Sequence, residues 1–221
     1  MAVIINIDSS LETASVSISK DGLILQHLTN DVQKQHAAFI HCAVQKLTVA
    51  LQISFKEIDA VSCAIGPGSY TGLRVGLAAA KGFCYALNIP LITIGTLQAM
   101  AHSMQAQQPD KTLYYCPMID ARRMEVYTAL YNPYLKELIT ATAIVINKQF
   151  FEKEMQSFKI LFFGNGMVKF KNIADNDNAL FATNGVIYNS ISLLAFQKFT
   201  ENNFAPLAAA APLYAKEFYN G

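Results

Sequence analysis

The sequence predicts an α/β protein of two duplicated lobes, each with a mixed β-sheet and packed helices. Short apolar strand patterns alternate with longer segments of helical periodicity along most of the 221 residues. A β-hairpin pattern also occurs twice, because an apolar strand ends in Ile-Asp at Asp8 and again at Asp120, each followed by a polar turn with a glutamate and an outgoing strand. The polar stretch 103–111 is the best candidate for a boundary, which gives an N-terminal lobe over 1–105 and a shorter C-terminal lobe over 106–221.

The first lobe is expected to open with three strands in a meander. Its first segments are apolar or alternate in polarity, and an Asp-Gly turn separates the second from the third. A helix with apolar residues at helical spacing follows, then a strand, a second helix and another strand. The predicted strands and the first helix cover residues 2–8, 14–19, 23–28, 36–51, 60–65 and 90–95.

The second lobe is expected to repeat the hairpin and to finish with helices. A later strand ends in the glycine turn of Gly164 and Gly166, and residues 189–199 have the periodicity of a helix. Residues 174–185 are polar and are expected to form an exposed loop. A proline-containing tail follows over residues 205–218.

The stretch 64–82, AIGPGSYTGLRVGLAAAKG, joins a strand to a helix through a glycine-proline turn. A phosphate-binding P-loop needs Lys and Ser or Thr after its last glycine, but Gly72 is followed by Leu and Arg. The dinucleotide-binding spacing also fails, since Thr71 stands where the third glycine belongs. The stretch therefore predicts a strand, a turn and a helix that Ser69 or Thr71 caps.

Within that helix, Gly72, Gly76 and Ala80 lie four residues apart and form a face with almost no side chain. Such a face lets a neighbouring element approach closely. A glycine inside a helix costs about 1 kcal/mol relative to alanine, so a compensating contact is expected. Two interpretations stay open, because the face either packs on the sheet of the same chain or binds another protein.

The two aspartates at strand ends also allow two interpretations. Asp8 and Asp120 could hold a magnesium-nucleotide or a catalytic water in a shared cleft. Each could instead accept hydrogen bonds within its own turn. A serine hydrolase is disfavoured, because the sequence contains no Gly-x-Ser-x-Gly elbow.

The charge and cysteine content argue against other functions. The 17 basic and 16 acidic residues nearly cancel, and the densest basic groupings are Arg122 with Arg123 and Lys169 with Lys171. Strong binding of nucleic acid by this chain alone is therefore not expected. The four cysteines show no metal or disulfide spacing and are expected to be reduced core residues.

No metal site and no targeting segment are predicted. His36 and His41 are five residues apart, which separates them by roughly 140° around a helix, too far for ligands on one face. The N-terminus has the pattern of a strand rather than of a signal peptide. No apolar run reaches the roughly 20 residues of a spanning helix, so a cytoplasmic protein with no membrane partner is expected.

Six segments together resemble the bacterial TsaB family, in order and in spacing. They are IINIDSSLETASVSI, KQHAAFI, AIGPGSYTGLRVGLAAAKG, PMIDARRMEVY, FFGNG and PLYAKEF. The resemblance runs nearly end to end, and GPGSYTGLRVG is its most specific element. It implies the actin-like fold of sugar kinases and Hsp70-type ATPases, which agrees with the repeated hairpin.

The resemblance implies a function in making threonylcarbamoyladenosine, the modified base beside the anticodon in some tRNAs. TsaB proteins are non-catalytic partners of a paralogue, TsaD, which carries the metal and transfers the threonylcarbamoyl group, and a small ATPase, TsaE, joins them. For this chain it implies a scaffold that binds and activates a TsaD-type paralogue and reaches tRNA only through the complex. A homodimer is the expected alternative when the chain is alone.

The resemblance also assigns residues, since the partner surface of the family lies on helices of the N-terminal lobe. The expected partner-binding residues are Ile40, Val44, Gly72, Leu73, Arg74, Gly76, Leu77 and Ala80. The residues expected near any nucleotide are Asp8, Ser9, Ser10, Asp120, Gly164 and Gly166. The first hairpin turn lacks the glycine that actin-like ATPases place against phosphates, so no intrinsic cofactor is expected, and ATP or ADP would bind weakly or at the partner interface.

Two other functions stay open from the sequence. One is an enzyme, either a small actin-fold kinase or a glycoprotease-type hydrolase, with Asp8 or Asp120 as base or metal ligand. The other is a homodimeric nucleotide-binding module. Hydrolysis of ATP or a peptide that is lost in Asp8→Asn would favour the enzyme, and titration with ATP without a partner would test the module.

Overall fold

The computed structural model describes residues 1–32, 35–183 and 187–215. The chain divides into two compact units. Unit 1 consists of Met1–Ala99 and Ile187–Leu213, and unit 2 consists of the rest of the chain.

The strands and helices follow one another in chain order through both units. They are β1 (Val3–Asp8), β2 (Ala14–Lys20), β3 (Leu23–Asn30), α1 (His36–Leu51), β4 (Ala60–Gly66), α2 (Tyr70–Leu87), β5 (Leu91–Gly95), α3 (Thr96–Gln107), β6 (Leu113–Asp120), β7 (Glu125–Tyr131), β8 (Glu137–Val145), α4 (Glu152–Met155), β9 (Lys159–Phe163), α5 (Met167–Lys171), β10 (Ala179–Ala182) and α6 (Tyr188–Thr200). Among these described helices, none has the length and hydropathy needed to cross a membrane.

The two sheets have the same topology. The strand order is β3-β2-β1-β4-β5 in unit 1 and, read in the same direction, β8-β7-β6-β9-β10 in unit 2. In each sheet the first three strands pair antiparallel, the fourth pairs parallel to the central strand, and the fifth pairs parallel to the fourth. The predicted meander and the predicted duplication of the hairpin are both confirmed.

In unit 1, α1 and α2 contact each other and the sheet. Ile5 and Ile7 of β1 are buried in one cluster with Ile40 of α1 and Leu77 of α2. The helix α2 is capped as predicted, because the side-chain oxygen of Ser69 accepts a hydrogen bond from the backbone N of Gly72 at 3.3 Å. The positions of both helices are therefore set by apolar burial against the sheet, α1 mainly on β2 and β3 and α2 mainly on β4.

The helix α6 packs on β1, β3, β4 and β5 and therefore belongs to unit 1. The Oγ of Ser192 donates to the carbonyl of Gly22 at 2.6 Å, and Leu213 N donates to the carbonyl of Ile65 at 2.7 Å. The predicted division into 1–105 and 106–221 is corrected here, because residues 187–213 return to unit 1 and the second unit is therefore not contiguous.

Unit 2 has a separate core that is rich in phenylalanine. Phe150, Phe162 and Phe170 pack with ring centroids 4.8 to 6.1 Å apart. One prediction for this unit is wrong in part: β10 pairs in parallel with β9 inside the range 174–185, where an exposed loop was expected. Residues 184 and 185 of that range, and residues 216–218 of the predicted tail, lie outside the described residues.

Candidate functional site

The turn after β1 is enclosed by the loop that leads into α2. The backbone N of Ser69 donates to the carbonyl of Ser10 at 2.7 Å, and the Oγ of Ser9 donates to the carbonyl of Gly72 at 2.8 Å. A Cβ atom on Gly68 would collide with the carbonyl of Ser10, and one on Gly72 with the carbonyl of Ser9. These glycines are therefore required for close approach between two segments of the same chain.

Asp8 lies in this enclosed turn with 4% of its surface exposed. Its Oδ1 accepts hydrogen bonds from the backbone N of Ser10 at 2.9 Å and from the Oγ of Ser10 at 2.6 Å. Burial raises the pKa of the Asp8 carboxyl above its ordinary 3.8, although the two Ser10 bonds and the charge of His36 oppose the rise. Because Ser9 and Ser10 are buried as well, these three predicted nucleotide-proximal residues form a closed turn in unit 1.

The turn after β6 places the second aspartate in a different environment. The Oδ1 of Asp120 accepts a hydrogen bond from the backbone N of Arg122 at 2.6 Å and forms an ion pair with the Nζ of Lys169, also at 2.6 Å. Its side chain is 42% exposed. Burial acts to raise the pKa of Asp120, but the Lys169 and Arg122 hydrogen bonds and the Lys169 charge outweigh it and hold the pKa below 3.8.

The glycine turn after β9 supports the Asp120 hairpin. Gly164 has a φ of +99°, and a Cβ there would collide with the carbonyl of Met118. The backbone N of Gly166 donates to the same carbonyl at 3.0 Å, and Asp120 N donates to the Oδ1 of Asn165 at 2.9 Å. The predicted nucleotide-proximal residues of unit 2 are thus brought together, and their contacts fix the hairpin.

The small-residue face of α2 points into unit 1. A Cβ added to Gly76 would lie 3.5 Å from the Sγ of Cys63 and would collide with the Oγ of Ser9. Of the eight predicted partner-binding residues, Arg74 is exposed and the other seven are buried, namely Ile40, Val44, Gly72, Leu73, Gly76, Leu77 and Ala80. The prediction that this face meets another protein is corrected, because β4 and the turn after β1 cover it.

The opposite side of the same two helices is exposed. The helices are neighbours there, since the rings of His41 and Phe83 have centroids 5.3 Å apart. We call this side the outer face and define it as Ala38, Cys42, Gln45 and Val49 of α1 with Arg74, Ala78, Gly82 and Tyr85 of α2. Exposed Cys42 also corrects the expectation that all four cysteines are core residues.

Gly82 and Ala78 are the residues that sequence reasoning missed. A Cβ on Gly82 would have no described atom within 4 Å, and Ala78 is exposed one helical turn before it. Both have the same four-residue spacing as the inward face, so spacing alone could not identify which face is exposed.

His36, at the start of α1, has a buried Nε2 atom with no hydrogen-bond partner among the described residues. Within the described ranges, no three His, Cys, Asp or Glu side chains are grouped closely enough to hold a metal ion.

Comparisons with known proteins agree with the motifs. A family model described as TsaD, tRNA N6-adenosine threonylcarbamoyltransferase, matches residues 28–210. A protein of Buchnera aphidicola subsp. Schizaphis graminum, named tRNA threonylcarbamoyladenosine biosynthesis protein TsaB, is 27% identical over 91% of this chain and 95% of its own length. The chain belongs to the TsaB family.

Other members of the TsaB family match a shorter part of the chain. The protein named TsaB from Buchnera aphidicola subsp. Acyrthosiphon pisum is 31% identical over 59% of this chain. The matched stretch spans a little over half the length of the first curated relatives, 54% to 58%. The sequence similarity of these TsaB proteins therefore concentrates in part of the chain.

Solved structures agree on the fold. A Pseudomonas aeruginosa protein described as similar to peptidase YeaZ has a TM-score of 0.82 at 21% identity, and the match covers 98% of this chain and 100% of that chain. Together with the repeated strand order, this likeness confirms the predicted α/β fold with two lobes of duplicated sheet topology. This member of the TsaB family thus has the predicted architecture, and seven of its eight predicted partner-binding residues are buried within unit 1.

Proposed function

We propose that this chain acts in tRNA threonylcarbamoyladenosine biosynthesis as a non-catalytic scaffold that binds and activates a TsaD-type paralogue. The names of its curated relatives give the process, and the description of the matching family model gives the transferase. The structural observation that carries the proposal is the outer face of α1 and α2, with Gly82 open inside a helix.

The open glycine is the strongest sign of a missing neighbour. In an exposed helix interior, glycine is about 1 kcal/mol less favourable than alanine. The other glycines of α2, Gly72 and Gly76, are offset by close contacts within the chain, whereas Gly82 has no such contact among the described residues. A helix of a second protein that approaches at Ala78 and Gly82 would supply the packing that offsets this cost.

Larger side chains surround these small ones. Tyr85 is 84% exposed and Val49 is 72% exposed. The Cζ of Arg74 lies 4.1 Å from the centroid of the Tyr70 ring, which holds the guanidinium at the edge of the face. Small residues with flanking aromatic and apolar groups fit a helix-to-helix interface better than a small-molecule site.

A paralogue with the same fold is the partner that this face best fits, because it would present an equivalent helix pair. A second copy of this chain would do the same, so a homodimer is the expected state when the paralogue is absent. In this proposal a TsaE-type ATPase joins the complex, and ATP or ADP binds weakly or at the interface, without an intrinsic cofactor.

An enzyme that uses Asp8 or Asp120 has less support. Asp8 is enclosed and already accepts two hydrogen bonds, so as a base it would require the turn to open. Asp120 is paired with Lys169, and its lowered pKa makes it a weak base. The scaffold therefore remains the better proposal.

The test is size-exclusion chromatography with light scattering on this chain mixed with the TsaD-type paralogue. Two variants at one position provide the comparison: Gly82→Gln adds bulk to the outer face, and Gly82→Ala adds a single methyl group. The wild type and Gly82→Ala are expected to form a one-to-one complex, and Gly82→Gln to weaken it at least tenfold with no loss of thermal stability.

An unchanged complex in Gly82→Gln would reject the outer face, and no complex in the wild type would reject the scaffold. Gly76→Leu is unsuitable for this purpose, because the added side chain would collide with Ser9 inside unit 1. It would disrupt the packing of α2 as well as its outer face.

A further inference from the structure

The tip of the second hairpin carries two adjacent, exposed arginines. Arg122 and Arg123 lie in the turn between β6 and β7, which is closed by a hydrogen bond from Glu125 N to the carbonyl of Arg122 at 3.1 Å. Both side chains are exposed, and neither guanidinium has a hydrogen bond or an ion pair within the described ranges. Two fixed positive charges therefore project from one turn.

The nearest strand-end carboxylate does not pair with the two arginines. The Oδ1 of Asp120 is bound by the Nζ of Lys169 and by the backbone N of Arg122. Lys169 also donates to the carbonyl of Glu125 at 3.0 Å, so this lysine is held beside the turn. The turn carries three positive charges, on Arg122, Arg123 and Lys169. Asp120 and Glu125 supply two negative charges, so the net charge of the turn is positive.

The backbone of the tip is unfavourable for the residues that occupy it. Arg122 has a φ of 67° and Arg123 a φ of 47°, both in the left-handed region. Glycine, asparagine or aspartate would adopt these angles more easily. When two consecutive residues with large side chains occupy such positions on an exposed turn, the side chains themselves are needed there.

The choice of arginine points to a class of ligand. Arginine occurs three times among the 17 basic residues of the chain, and two of the three are at this tip. Lysine serves elsewhere as the ordinary surface cation. The planar guanidinium donates paired hydrogen bonds that match a phosphate or a carboxylate, which an ammonium group cannot do.

From these observations we infer that Arg122 and Arg123 contact the phosphodiester backbone of RNA, while Lys169 neutralises Asp120 beside them. This inference rests on the proposed function, because tRNA is the RNA on which that biosynthesis acts. It departs from the expectation that tRNA is reached only through the complex. The fold brings Lys169 beside the arginine pair, although 45 residues separate them in the sequence, so Asp120 is neutralised and the two arginines give a footprint of about two phosphates.

The test is binding of transcribed tRNA to the chain, alone and mixed with the TsaD-type paralogue, across a range of salt concentrations. Arg122→Gln with Arg123→Gln removes the two free charges. Lys136→Gln with Lys153→Gln is the matched control, because it removes two exposed charges elsewhere in unit 2. Arg122→Lys with Arg123→Lys keeps the charge and removes the paired donors.

We expect the Arg→Gln pair to weaken binding by roughly 10- to 100-fold near 0.1 M salt and to reduce the log–log salt slope by about 1.8, the value for two lost phosphate contacts. The Lys→Gln control should keep the wild-type slope. The Arg→Lys pair should keep the slope but lose part of the affinity. Thermal melting of each variant shows whether it remains folded.

Unchanged affinity and slope in the Arg→Gln pair would overturn the inference, and so would undetectable tRNA binding by the wild type in both states. Loss of paralogue binding instead of tRNA binding would also overturn it, because the tip would then bind a carboxylate of a protein. The scaffold proposal is tested separately by the Gly82 variants, so either proposal can fail while the other stands.

Discussion

The hairpins that open the two sheets have the same strand order and the same Ile-Asp ending, yet their aspartates are in opposite environments. Asp8 is buried, bound to Ser10 and covered by the loop before α2. Asp120 is exposed and paired with Lys169. The equivalent glycine turns both support the strand end, but the loop in unit 1 continues into an 18-residue helix and the loop in unit 2 into one of five residues.

The difference shows how a duplicated unit can diverge. In unit 1 the longer helix closes over the turn, and its other side becomes an exposed surface with small residues. In unit 2 the shorter helix leaves the turn open, and the arginines occupy it. One unit therefore presents an exposed helix face and the other a charged turn, although both sheets have the same topology.

The largest effect is expected from Gly72→Ala, which would test whether the turn of unit 1 is closed. The new Cβ would collide with the carbonyl of Ser9, and neither backbone can shift without breaking the Ser9 Oγ hydrogen bond. We expect the free energy of unfolding to fall by about 3 kcal/mol or more. Urea denaturation measures it.

Gly82→Ala is the control for this prediction, since the same change in the same helix meets no described atom within 4 Å. It should raise stability by up to about 1 kcal/mol. If both variants lost stability equally, the collision with Ser9 could not be the cause, because a Cβ on Gly82 meets no described atom within 4 Å, and the closed turn would lose its support.

A smaller effect is expected from replacing the two aspartates, and its sign should differ between the units. The pKa of Asp8 is raised in the folded chain, so this group favours folding at pH values below its ordinary pKa of 3.8 and loses that contribution as pH rises through the folded pKa. Asp8→Asn can keep both Ser10 hydrogen bonds without the buried charge. We expect it to be more stable than the wild type by about 1–2 kcal/mol at neutral pH and equal near pH 4.

Asp120→Asn should act in the other direction. The pKa of Asp120 is lowered, so its contribution is present above pH 3.8 and is lost as pH falls through the folded pKa. Because the pair with Lys169 is partly exposed, the loss at neutral pH should be about 0.5 kcal/mol. Thermal melting from pH 3 to pH 8 compares both variants, and equal pH profiles would contradict the contrast between the two turns.

An effect as small as that of Asp120→Asn is expected at the tip of the second hairpin. Arg123→Gly removes a side chain from a residue with a φ of 47°, and stability should rise by about 0.5–1 kcal/mol while tRNA affinity falls. Lys153→Gly at an exposed site is the comparison and should not raise stability. A loss of stability in Arg123→Gly would show that the arginine is held by contacts within the fold.

Much of the fold could be predicted because it depends on local patterns. The helix at 36–51 and the strands of both hairpins follow directly from periodicity and turn residues, and the repeat of Ile-Asp gave the duplication. The return of α6 to unit 1 could not be predicted, because its periodicity shows an apolar face without showing which sheet receives it. The edge strand β10 was missed for a related reason, since four residues within a polar stretch give too short a pattern.

The site was predicted less well, and α2 shows why. Small residues repeat every four positions on both of its sides, at Gly72 and Gly76 and again at Ala78 and Gly82, so composition could not separate the buried face from the free one. Likewise, Ser9 and Ser10 carry no sequence signal for the loop that covers them. Both features depend on contacts between segments about 60 residues apart in the chain.

The assignment of residues 187–213 to unit 1 has a consequence for protein synthesis. During translation, unit 1 lacks α6 and the segment that pairs with Ile65 until residue 213 has left the ribosome. The described core of unit 2, residues 100–183, is complete earlier. The nascent chain is therefore expected to complete the core of its second unit before its first unit, the reverse of the usual order, and to leave the part of the first sheet that α6 contacts uncovered in the meantime.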